Sequence, residues 1–102
     1  MTVYHEEGSF KNGKKDGEWL EVFGGGGVRH KSMGFYKNGE RVGLWIELTY
    51  HFPFGHFRDR SEGFYKKNKK DGSWIFYNHP KEGIPQKEEI YKDGEFIETK
   101  EY

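Results

Sequence analysis

The segments GSFKNGKKDGEWLEV (8–22), GFYKNGERVGLWIEL (34–48) and GFYKKNKKDGSWIFY (63–77) align without a gap, and EIYKDGEFIETKEY (89–102) restarts the same pattern. Copies begin at residues 8, 34, 63 and 89, so the period is 26, 29 and 26. A chain that repeats one unit at this spacing stacks like elements, each burying its apolar surface on its neighbours. The columns of the alignment define that unit. Its third position is always aromatic (Phe10, Tyr36, Tyr65, Tyr91) and its fourth is always lysine (Lys11, Lys37, Lys66, Lys92). A turn pair follows: Asn12-Gly13, Asn38-Gly39, Lys67-Asn68 and Asp93-Gly94. Asn-Gly and Asp-Gly between strand-like flanks predict type I′ turns, whose two central residues need positive φ. Each copy is therefore expected to form a β-hairpin.

A two-residue turn also predicts the register. It sets Lys37 opposite Glu40, Tyr36 opposite Arg41, Phe35 opposite Val42 and Gly34 opposite Gly43. Alternation then puts Tyr36, Gly34, Gly43 and Trp45 on one face, with the paired glycines giving the indole bare backbone to lie on. The same is expected of Phe10, Gly8, Gly17 and Trp19, and of Tyr65, Gly63, Gly72 and Trp74. The opposite face is apolar as well, through Leu20, Val22, Val42, Leu44, Ile46, Leu48, Ile75 and Tyr77. VRHKSM (28–33) and FRDRSE (57–62) supply the return strands. The predicted fold is all-β: one domain over residues 1–102, a single-layer antiparallel meander of about eight strands, two to each hairpin, without significant helix. Composition agrees, since 19% of residues are aromatic, 15 are glycine and none is alanine, the best helix former.

Several function classes are disfavoured. The chain has no cysteine, which excludes disulfides and thiolate metal sites and fits a reducing compartment. MTVYHEEGSF lacks the apolar core of a leader and no apolar run approaches a membrane span, so a cytoplasmic protein is expected. Basic and acidic residues balance at 17 each, giving no overall charge for wholesale nucleic-acid binding. GGGG (24–27) continues into strand-like VRHKSMGF rather than a helix carrying Lys and Ser/Thr, so it reads as a turn between hairpins and not as a phosphate loop. KEGIP (81–85) is the equivalent turn before the last copy. His51, His56 and Asp59 have neither a second cluster nor a two-His helix motif beside them, so no metal site is expected. No spacing suggests a nucleophilic triad or a catalytic carboxylate pair; the expectation is no enzyme, no cofactor and no small-molecule substrate.

Two surfaces stand out as binding candidates. Lys11, Lys14, Lys15, Lys37, Arg41, Lys66, Lys67, Lys69 and Lys70 gather at successive hairpin turns and would form a basic edge able to meet anions. Lys11 opposite Lys14 and Lys66 opposite Lys69 are like-charge pairs that cost stability, which favours a use for them. The second surface is HFPFGHFRDR (51–60), in a connection three residues longer than its counterparts. Its Phe52, Phe54, His56, Phe57 and Arg58, together with Trp45 and Tyr50, are the expected partner-binding set, because an over-long connection rich in phenylalanine needs cover.

The spacing of Gly, aromatic, Asn-Gly and second Gly resembles the membrane occupation and recognition nexus (MORN) repeat over nearly the whole chain. Trp19, Trp45 and Trp74 stand where the eukaryotic form usually has another glycine, which is similar to the bacterial and phage variant described as antitoxin-like. The unit is longer than the usual MORN unit, and the last copy lacks both the second-half Gly and the Trp. The resemblance implies an elongated single-layer sheet that binds or scaffolds, with some members engaging phospholipid and many forming dimers. The functional expectation is a non-enzymatic module for a protein partner, inhibiting a toxin or effector in an antitoxin or phage counter-defence role. Two alternatives accompany it: an anionic-lipid or polyanion (nucleic-acid) binder acting through the lysine tips, and a homodimeric sheet module.

Overall fold

The structure is a computed structural model that describes residues 2–25, 27–51, 56–77 and 85–102 and, within them, every side chain except those of residues 2–4, 51 and 56–58. Eight strands form one sheet in the order β1-β2-β3-β4-β5-β6-β7-β8, each antiparallel to its sequence neighbours. They are β1 (Thr2–Lys11), β2 (Lys14–Gly25), β3 (Val28–Lys37), β4 (Glu40–His51), β5 (His56–Lys66), β6 (Lys69–Tyr77), β7 (Lys87–Lys92) and β8 (Glu95–Glu101). The described residues contain no helix. The expected all-β meander is the fold of the protein.

Four tight turns join the hairpins, and their central residues are left-handed: φ is 52° and 76° at Asn12-Gly13, 52° and 81° at Asn38-Gly39, 49° and 70° at Lys67-Asn68, and 51° and 86° at Asp93-Gly94. These are the angles for which Asn, Asp and Gly are suited. The turns also couple adjacent hairpins. The Gly39 amide donates to the Lys15 carbonyl (2.9 Å), Asn68 to Arg41 (3.0 Å) and Gly94 to Lys70 (2.9 Å).

The register confirms Lys37 opposite Glu40, Tyr36 opposite Arg41 and Phe35 opposite Val42, but it overturns the glycine pairing. In the first hairpin Ser9 pairs with Asp16 while Gly8 pairs with Trp19, so two extra residues sit on the return strand. The same skip separates Phe35–Val42 from Met33–Ile46, and Tyr65–Lys70 from Gly63–Trp74. The glycines of each copy thus do different work. Gly17, Gly43 and Gly72 make the bulge, with φ of 87°, 69° and 83°, and a Cβ on any of them meets nothing within 4 Å. Gly8, Gly34 and Gly63 lie beneath the indoles, where a Cβ would fall 2.2, 2.2 and 2.3 Å from Cδ2 of Trp19, Trp45 and Trp74. A bulge keeps the alternation of faces when it adds two residues, which is why the tryptophans still share a face with the aromatic column. It also breaks the ladder, and the indole N–H bonds to nearby backbone: Trp19 Nε1 donates to the Ser9 carbonyl (2.9 Å), Trp45 to Phe35 (3.1 Å) and Trp74 to Phe64 (3.1 Å).

The core is this column. Trp45 and Trp74 are fully buried, with Trp19 and Tyr36 nearly so. Phe10, Trp19, Tyr36, Trp45, Tyr65 and Trp74 follow one another edge to face, with ring centroids 5.2 to 5.9 Å apart. Such pairs contribute roughly 0.5–1.5 kcal/mol each beyond the area they bury, a substantial sum for a sheet whose described residues form a single layer.

Candidate functional site

The second residue after each turn belongs to the aromatic face, because it lies opposite the column residue: Phe10 opposite Lys15, Tyr36 opposite Arg41, Tyr65 opposite Lys70. In the first three copies that residue is a cation lying over two rings. Lys15 Nζ is 4.5 Å from the Trp19 centroid and 5.0 Å from Tyr36; the Arg41 guanidinium is 4.3 Å from Trp45 and 5.4 Å from Tyr65; Lys70 Nζ is 4.7 Å from Trp74 and 5.0 Å from Tyr91. The fourth copy puts Phe96 there, opposite Tyr91 with centroids 5.9 Å apart. Three of the nine residues grouped by sequence as a basic edge, Lys15, Arg41 and Lys70, therefore roof the core. Alternation across the turn was the available signal, since Arg41 opposite Tyr36 already implies a shared face.

A buried carboxylate completes the roof at its first joint. Glu21, 6% exposed, accepts hydrogen bonds from Lys15 Nζ (3.0 Å), Arg41 Nη2 (2.9 Å) and the Tyr36 hydroxyl (2.8 Å). Burial alone would raise its pKa, yet the bonds from Tyr36 and Lys15 and the charge of Arg41 outweigh burial and bring it below the usual carboxylate range. Lys15 and Arg41 are both raised: burial pulls them down, and bonding to Glu21 and Tyr36 respectively reverses it. Tyr36 and Tyr65 are raised chiefly by burial. Glu21 escaped the sequence reading because a carboxylate two residues after the tryptophan, present in only the first two copies, has no signature until the face is known.

The other face is open. Leu20, Met33 and Ile46 are cross-strand neighbours there, as are Phe35 with Val42 and Leu44 with Phe64. Phe35, Leu44 and Phe64 are exposed by 43, 40 and 52%, a contiguous apolar patch over which the described residues place no second layer. A shallow depression of about 440 Å³ at its β2–β4 side is lined by Leu20, Met33, Phe35, Leu44 and Ile46. Toward the turns the same face carries Lys11, Lys14, Lys37, Lys66, Lys69 and Lys92, all exposed, with Lys11 opposite Lys14 and Lys66 opposite Lys69 as expected, while Glu40 faces Lys37 and Glu95 faces Lys92. Lys67 sits in the third turn itself. The open face thus joins an apolar patch to a lysine row, an association that column-by-column reading missed.

Of the partner set read from the insertion, Phe52 and Phe54 lie outside the described residues, as do the side chains of His56, Phe57 and Arg58; so do the side chain of His51, weighed as a metal candidate, and most of the KEGIP turn. Trp45 is fully buried, whereas Tyr50 is half-buried at the foot of β4. Among the described residues no three His, Asp or Glu side chains converge to hold a metal ion, and no helix is long and apolar enough to cross a membrane. No family model, curated protein or solved structure matches the chain.

Proposed function

We propose that this protein is a non-enzymatic binding module that presents the open face of its sheet to a protein partner. The observation that carries the reading is the asymmetry of the two faces. The aromatic face is roofed by its own cations, while the open face leaves Phe35, Leu44 and Phe64 wet beside a lysine row. Charge favours a different protein over a second copy stacked row on row, because the lysines of the row outnumber the Glu40 and Glu95 that stand among them and such stacking opposes like charges. The fitting partner has an apolar surface flanked by acidic side chains. Inhibition of a toxin or effector is the specific form this takes if the MORN-like resemblance extends to function.

Affinity capture from the native host is expected to yield a stoichiometric partner. Its binding should be lost when Phe35, Leu44 and Phe64 become Ser and weakened when Lys37, Lys66 and Lys69 become Glu. Capture without such a partner, or one that tolerates both variants, overturns the reading. A second reading, an anionic-lipid surface, is favoured by the same lysine row beside exposed phenylalanines. It predicts binding to phosphatidylserine vesicles that falls steeply with salt and disappears in the lysine-to-glutamate variant. Salt-independent or absent vesicle binding rejects it.

A further inference from the structure

Glu47 occupies in the second copy the position that Glu21 occupies in the first, two residues after the tryptophan on the aromatic face. The two carboxylates have different surroundings. Glu21 holds two cations and a tyrosine hydroxyl. The groups that would serve Glu47 in the same way are Arg41 of its own copy, Lys70 of the next, and Tyr65. Arg41 is turned instead toward Glu21, to which its Nη2 donates at 2.9 Å, while its Nη1 donates to the Tyr65 hydroxyl and its Nε to the Tyr36 hydroxyl, each at 3.4 Å. Lys70 rests over Trp74 and Tyr91, and the third copy has Phe76 where the carboxylate would be. Lys87 also lies near, but it is paired with Glu89 at 3.4 Å and sits 4.9 Å over the Phe76 ring. Glu47 is left half-buried, with no ion pair or hydrogen bond from the described side chains.

Its surroundings are shaped for a ligand that donates hydrogen bonds. Glu47 lies opposite Ser32 on β3 and Ser61 on β5, with Thr49 next along its own face. It borders two adjoining depressions of about 340 and 320 Å³. Phe23, His30 and Ser32 line one, Asp59 and Phe76 the other, and Ser61 and Thr49, the latter in contact with His30, are shared; Lys31, Arg60 and Lys87 also border them, with Arg60 paired to Glu62 and Lys87 to Glu89. A half-buried carboxylate ringed by hydroxyls and flanked by aromatic walls, with one further carboxylate, Asp59, along the depression, suits an organic monocation, guanidinium or primary ammonium, better than a metal ion, which needs several converging ligands.

We propose that Glu47 is a seat for an arginine or lysine side chain supplied by a partner protein, which completes at the second joint the carboxylate–cation contact that Glu21 makes internally at the first. The seat lies on the aromatic face, behind the open face of the protein-binding reading, so that reading supplies its side chain only from a partner segment that reaches around to the aromatic side; the seat itself does not depend on it, and a small probe tests it separately.

The probe is N-acetyl-arginine amide, with the isosteric but neutral N-acetyl-citrulline amide as comparison, titrated while the backbone amide resonances of Ser32, Glu47 and Ser61 are followed. Saturable shifts with the arginine probe, at least tenfold weaker with citrulline, are expected in the native protein. Glu47→Gln should weaken the arginine response at least tenfold, and Glu98→Gln on β8 should leave it unchanged. Equal responses to arginine and citrulline in the native protein, or an undiminished arginine response in a folded Glu47→Gln variant, would overturn the proposal without bearing on what binds the open face.

Discussion

At the scale of single residues, the two glycines of a copy separate experimentally. Gly34 lies under Trp45 and a β-carbon there collides with the indole, so Gly34→Ala must displace a fully buried ring from its hydrogen bond to Phe35. A loss of about 2–4 kcal/mol is expected by chemical denaturation. Gly43 has open space but a φ of 69°, a conformation Asn adopts readily, so Gly43→Asn should cost under about 1 kcal/mol while Gly43→Val costs more. Equal losses for Gly34→Ala and Gly43→Asn would contradict the bulge. Glu21 gives a pH signature. Its folded pKa lies below the unfolded value, so its contribution is full above the ordinary carboxylate pKa and drains away as pH falls through the depressed one. Glu21→Gln should therefore cost about 2–3 kcal/mol at neutral pH. It should also flatten the loss of stability below about pH 4, where the ordinary carboxylate protonates. An unchanged acid limb would show that the carboxylate is not the group responsible.

At the scale of the hairpin, the third turn is the anomalous one. Lys67 and Asn68 hold the positive φ that the other copies give to Asn-Gly or Asp-Gly, and Lys67 has no local hydrogen-bonding excuse for a left-handed conformation. Lys67→Asn should stabilise the protein by about 0.5–1 kcal/mol, a rise of several degrees in Tm, and an unchanged or lower Tm would remove turn strain as its explanation. Hairpins were legible in the sequence because Asn38-Gly39 encodes its own backbone angles. The bulge was not, because Gly43 reads equally well as half of a glycine pair until the skipped residues are seen. Arg41 shows the same limit from the other side: its pairing with Tyr36 was legible, but its reach across the column to Glu21 depends on two hairpins lying side by side. Contacts within a copy follow from local pattern, while those between copies require knowing which face each residue shares.

At the scale of the whole molecule, the sheet is a linear array with two open ends, since each strand pairs only with its neighbours in sequence. Stability in such an array is a sum of hairpin terms and nearest-neighbour interfaces, so it should peak in the interior and fall toward the ends. The composition of the last copy steepens that fall. Glu98 and Lys100 stand where the earlier copies have the bulge glycine and the tryptophan, Phe96 replaces the roofing cation, and every residue of β8 is exposed. Trp45 on β4, by contrast, is fully buried between Tyr36 and Tyr65. Charged residues along β8 also make that edge a poor template for another strand, which suits a terminal hairpin that stops the array. Native-state hydrogen exchange should accordingly find amides of β4 opening only with global unfolding. Those of β8 should exchange through local fraying, with protection on the order of a hundredfold lower. Uniform protection across β1 to β8 would mean that the array unfolds as a single unit, with the interfaces between hairpins stronger than the absence of a second layer implies.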